Sequence, residues 1–72
     1  MYKWLIDILL KNGERVSGLV ICEHKNSGDV ARSLINTDNP NTFFGIKDVT
    51  ETHNILVKIG EVVVLDISVY KD

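Results

Sequence analysis

The sequence predicts a mainly β (α+β) domain: a small five-stranded bent sheet or barrel with one short helix inserted between strands 2 and 3. Three observations carry the prediction. Apolar residues alternate with polar ones in several short runs, the period of a half-buried strand. Glycine turns, Asn12-Gly13 and Gly60-Glu61, sit where one run hands over to the next. A single stretch, Val30, Ala31, Leu34 and Ile35, follows the helical spacing instead.

Tyr2, Trp4, Ile6, Ile8 and Leu10 form one face of the first run, with Lys3, Leu5, Asp7 and Leu9 on the other. Trp4, Leu5, Ile8 and Leu9 also fit a helix, but Asn12-Gly13 accepts the positive φ of a tight hairpin and a β-branched run follows it directly. A two-residue loop would set Leu10 against Arg15 and Ile8 against Ser17, mixing polar residues into the apolar face. A three-residue loop, Lys11-Asn12-Gly13 with Gly13 left-handed in a bulge, sets Ile8 against Val16, Ile6 against Gly18, Trp4 against Val20 and Tyr2 against Cys22. That face is apolar throughout, and because a one-residue slip reverses every side chain, the bulged register is expected.

Ser27-Gly28-Asp29 supplies capping side chains for an amphipathic helix running to Asn36. Thr37 to Thr42, centred on Asp38-Asn39-Pro40-Asn41, is a loop. Phe43 to Lys47 follows as a short strand with Phe44 and Ile46 on its core face, then a polar turn from Asp48 to His53. Ile55, Val57 and Ile59 alternate with Leu56 and Lys58, and Gly60-Glu61 turns the chain into a last strand with Val63, Leu65, Ile67 and Val69 facing the core.

At 72 residues the chain is expected to form one domain over 1–72. A domain of this size buries only about 60% of the surface its unfolded chain exposes, so its stability margin is thin. With 44% apolar and 25% charged residues, the composition is that of a packed globular domain. Eight Lys and Arg against ten Asp and Glu give a net charge of −2, which provides no general attraction to phosphate backbones. Cys22 is the single cysteine, so no internal disulfide forms and a cytoplasmic setting is expected. Asp7 interrupts the apolar start, which reads as neither a signal peptide nor a membrane span.

Leu10-Lys11-Asn12-Gly13, with Val16, Gly18 and Val20, is similar to the first motif of Sm-like proteins. Ile55-Leu56-Val57-Lys58-Ile59-Gly60-Glu61-Val62-Val63 resembles their second, a strand, a glycine turn and a closing strand. The matches cover somewhat under half of the chain and imply an SH3-like or Sm-like small barrel. Sm-like proteins bind RNA with an Asp and an Asn after the second strand and an Arg before the second-motif glycine. His24, Gly28 and Ile59 stand at those spacings here, and the family does not insert a helix after the second strand. The chain as a whole also resembles small proteins of bacteriophages and prophages, which would place it in a host cytoplasm.

Cys22 and His24 share a strand face, with His53 as a conceivable third ligand, but structural zinc needs four ligands and usually several cysteines. No metal or cofactor is expected. A core-facing Cys22 lacks the exposed, electropositive setting of a nucleophile, and nothing gathers Glu23, His24, Asp48, Glu51 and His53 into one cleft. No enzymatic activity is expected. The leading expectation is a binding or assembly module that contacts other protein chains, itself included. Leu5, Leu9, Leu19 and Ile21 project from the side of the hairpin opposite the core, and two turns of helix cannot cover them. They are the candidate interface of a homo-oligomer, with unpaired edge strands as a second route, as in Sm-like rings. The alternative is a nucleic-acid-binding module using Lys11, Arg15, Lys25 and Arg32, with Trp4 or Phe43 as a stacking surface.

Overall fold

The structure is a computed structural model and describes residues 1–70. Five antiparallel strands form one bent, unclosed sheet: β1 (Tyr2–Leu10), β2 (Arg15–Cys22), β3 (Phe43–Lys47), β4 (Asn54–Lys58) and β5 (Val62–Val69). Their spatial order is β4-β3-β2-β1-β5, and one helix, α1 (Ser27–Leu34), lies between β2 and β3 in the chain. β1 is the spine of the sheet, flanked by the strand that follows it and by the last one.

The β1–β2 hairpin has the register that the apolar face requires, with Tyr2 opposite Cys22, Trp4 opposite Val20, Ile6 opposite Gly18 and Ile8 opposite Val16. Gly13 carries φ +87°. The Gly13 N–H donates to the Leu10 carbonyl and the Leu10 N–H to the Glu14 carbonyl, both at 2.9 Å, closing a three-residue loop with a glycine bulge. The Asn12 side chain braces the turn by accepting from the Glu14 N–H at 2.9 Å.

The core gathers Trp4, Ile6, Ile8, Val30, Leu34, Phe44, Ile46 and Val57. Phe44 and Ile46 are the buried face of β3, as their alternation requires. Tyr2 departs from expectation: at the end of β1 it runs past the core and is 43% exposed. The helix is shorter at its end than its spacing suggests, stopping at Leu34, and it is capped one residue earlier than expected. Asn26 is the N-cap, its side chain accepting from the Asp29 N–H at 2.9 Å. Val30 and Leu34 bury themselves on the sheet while Ile35, just past the helix, packs partly against the same cluster.

β5 differs from the simple alternation. The register against β1 shifts between Leu9 and Leu10, so that Leu9 faces Val64 while Leu10 faces Val62. The extra residue turns Val63 outward at 57% exposure, and Val69, opposite Trp4 near the strand end, is 59% exposed. Val62, Leu65 and Ile67 are therefore the residues of β5 that pack against the core.

β2 and β3 touch through one ladder pair, Leu19 opposite Lys47. The strands approach closely here because Gly18 has no side chain. A Cβ at that position would lie 2.7 Å from Ile46 Cδ1 and closer still to the Lys47 carbonyl. The 37–42 loop is tied down by Ile59 N–H to Thr42 O and Gly60 N–H to Pro40 O, both 2.9 Å. A Cβ at Gly60 would lie 2.8 Å from Pro40, so the 3₁₀ turn Ile59–Glu61 and this loop need a glycine between them.

Candidate interaction surface

The side of the sheet away from the core is built by strand alternation. On β1, Leu5, Asp7 and Leu9 point outward, facing Leu19, Ser17 and Arg15 on β2 and Ser68, Asp66 and Val64 on β5. The surface therefore reads as rows: an aliphatic row through Leu5 and Leu19, an acidic row through Asp66 and Asp7, and a second apolar row through Val64 and Leu9 that ends at Arg15. Ser17 Oγ donates to Asp7 Oδ1 at 2.5 Å. The outward side of the β3–β4 hairpin is of another character, carrying Phe43 opposite Lys58, Gly45 opposite Leu56 and Lys47 opposite Asn54. Phe43 is 57% and Leu56 69% exposed.

Of the four expected interface residues, Leu5, Leu9 and Ile21 are half-buried. Leu19 departs from expectation: it is 1% exposed and has no surface to lose on association. It sits at the single β2–β3 bridge, flanked by Leu5 on one side and Lys47 on the other, and the crossing of β3 covers it. The exposed apolar side chains on this side are instead Val64, Phe43 and Leu56. Val64 points outward, as its alternation with Leu65 and Ile67 requires. Leu56, between Ile55 and Val57, carries the alternation plainly.

The basic residues are not brought together. Lys11 and Arg15 lie at the turn end of the β1–β2 hairpin, whereas Lys25 follows Cys22 at its opposite end. Arg32 is engaged by Asp29 one helical turn earlier. That guanidinium, opposed in part by burial, holds the Asp29 carboxyl below its ordinary pKa. Trp4 is buried and its indole Nε1–H donates to the His24 carbonyl at 3.2 Å, so it offers no stacking platform. Phe43 is exposed, but its ladder partner is Lys58 rather than any of these four cations.

Cys22 is half-buried at the end of β2 and His24 is exposed in the connection to α1. His53 belongs to a different group, the β3–β4 turn, with Nδ1 3.5 Å from Asp48 Oδ2. Asp48 organises that turn, accepting from Thr50 Oγ1 at 2.6 Å, the Thr52 N–H at 2.9 Å and the His53 N–H at 3.3 Å. These bonds, the Thr50 hydroxyl first, outweigh burial and lower the carboxyl pKa to about 2. Glu51, in the left-handed region at φ 59°, reaches from the turn to Lys3 Nζ at 3.2 Å. Among the described residues no three His, Cys, Asp or Glu side chains converge as a metal-ligand set.

Cavities break the surface among the described residues. One of about 190 Å³ opens where β2 and β3 part, between Leu19 and Ile21 on one wall and Gly45 and Lys47 on the other. Another, of about 310 Å³, lies between the start of α1 and Leu65 to Ile67 of β5. Neither contains a pair of titratable side chains in hydrogen-bond contact with each other. No described helix is long and apolar enough to cross a membrane. No protein-family model, curated protein or solved structure matches the chain.

Proposed function

We propose that the protein is a non-enzymatic binding or assembly module that associates with copies of itself, working in the cytoplasm, or in the host cytoplasm if it is phage-encoded. One observation carries the reading: the outer side of an unclosed sheet bears exposed Phe43, Leu56 and Val64, while β4 and β5 at its margins each lack, among the described residues, a ladder partner on one side. Exposed apolar surface of this kind on a small domain usually marks an interaction site, and unpaired strand edges are templates for further pairing. The strand connectivity is in keeping with an Sm-like or SH3-like small barrel left open, and association of copies is the use such a shape suits.

Light scattering at micromolar concentration tests it. A mass at least twice the 8.1 kDa of one chain is expected, reduced by Leu56→Asp, and a clean monomer would overturn the proposal. In parallel, binding to single-stranded RNA and DNA is expected to be weaker than millimolar at ordinary salt. Submillimolar binding that falls steeply with salt would favour a nucleic-acid module instead.

A further inference from the structure

The two outward surfaces differ in charge as well as in position. Phe43 and Leu56 are accompanied by Lys47 and Lys58, and neither ammonium has an ion-pair partner among the described residues. Leu5, Leu9 and Val64 surround Asp7 and Asp66, which the β1–β5 register sets directly opposite one another. Like charges directly opposite across a ladder are unfavourable, and Ser17 answers only one of them, Asp7. The Asp66 carboxylate has no hydrogen-bond or ion-pair partner among the described residues. The cations near this surface stand at its margins: Arg15 beside Leu9, Lys3, which Glu51 engages, and Lys47, set beside Leu19. The centre of the surface is thus an acidic pair set among aliphatic side chains.

Building on the self-association proposed above, we infer that copies associate by complementary docking, the Lys47/Lys58 surface of one copy on the Asp7/Asp66 surface of another. The occupant of each surface is a second copy of this chain because each presents what the other lacks. An apolar centre with two cations meets an apolar centre with two anions, and an incoming ammonium relieves the repulsion between Asp7 and Asp66. An interface of this kind joins different patches on the two partners. Because both surfaces lie on the same side of one sheet, two copies that exchange both contacts close as a two-fold dimer, whereas copies that share one contact continue into a ring or a filament. A symmetric pairing of either surface with itself would bring like charges together.

Charge exchange tests the inference on the intact chain. One variant carries Lys47→Glu and Lys58→Glu, the other Asp7→Lys and Asp66→Lys, with circular dichroism melts to confirm folding. Each alone should associate at least about tenfold more weakly than wild type, since an attraction becomes a repulsion. Mixed in equal amounts they should recover the assembly, because every junction in an alternating assembly again pairs opposite charges. Wild-type association should also weaken between about 0.05 M and about 1 M salt, as the Debye length shrinks from over 10 Å to about 3 Å. Should a reversal fail to fold, the neutral variants Lys58→Gln and Asp66→Asn replace it, each expected to weaken association without recovery on mixing. Variants that associate as wild type does, or dissociated charge-reversed variants that do not recover on mixing, would overturn the complementary docking and leave self-association through strand edges standing. A wild type that stays monomeric would overturn the function proposal itself.

Discussion

The indole Nε1–H of Trp4 donates to the backbone carbonyl of His24 at 3.2 Å, tying the buried face of β1 to the connection that leads into α1. The bond lets a large side chain sit in the core with its polar atom satisfied, and it fixes where β2 ends and the helix begins. Trp4→Phe should remove the donor and leave a gap beside it, lowering stability by about 1–3 kcal/mol. Denaturant unfolding with an unchanged midpoint would show that the connection is held by other contacts.

Gly13 holds φ +87° at the hairpin bulge, a region where a β-branched residue is strained. Gly13→Val is expected to cost about 1–3 kcal/mol, and Gly13→Asn much less, because asparagine tolerates this conformation. The comparison is read from thermal melts, and overlaying curves for valine and wild type would contradict the bulged turn.

At Gly18 the constraint is space rather than dihedral angle. Gly18→Ala would push a methyl group against Ile46 and the Lys47 carbonyl, at the one point where β2 and β3 meet. A loss of about 1–3 kcal/mol is expected. Amide exchange should show Phe43–Lys58 opening before the β1–β2 hairpin does.

Leu34 is 9% exposed and packs with Val30 on the sheet, so Leu34→Ala should cost about 2–4 kcal/mol. An unaltered denaturation midpoint would remove α1 from the core.

Asp48 provides a pH prediction. Its carboxyl pKa is lowered to about 2 from 3.8, chiefly by the Thr50 hydroxyl. A depressed pKa contributes stability that is fully present above the unfolded-state value and is lost as the pH falls through the folded one. Wild type should therefore lose stability between about pH 4 and about pH 2, and Asp48→Asn should flatten that part of the profile. Titration of the Asp48 carboxyl by NMR checks the pKa directly.

Local chemistry made the first hairpin legible. Asn12-Gly13 limits the turn types, and a choice between two registers is decided by whether Arg15 and Ser17 enter the apolar face. Phe44 and Ile46 were legible for the same reason, alternation within one strand. Non-local events were not. Leu19 is buried by a strand more than twenty residues later in the chain, and nothing near it in sequence announces the crossing. Three consecutive valines conceal the bulge that turns Val63 outward. The helix cap was ambiguous because Asn26, Ser27 and Asp29 are all good capping residues, and only the bond to the Asp29 N–H selects Asn26. The acidic row failed to appear because Asp7 and Asp66 become neighbours only when β5 docks on β1.

β1 in the middle of the sheet has a consequence for how the protein is made. Its first partner, β2, emerges from the ribosome directly after it, but its second, β5, is synthesised some fifty residues later. Through that interval one flank of β1, with Ile6 and Ile8 along it, stays open to any extended segment that comes by. Until β5 arrives, the nascent chain presents an unpaired apolar strand edge. Slower translation of the stretch between the two strands would lengthen that exposure, and crowding on a polysome would place it within reach of neighbouring copies carrying a β5 to donate.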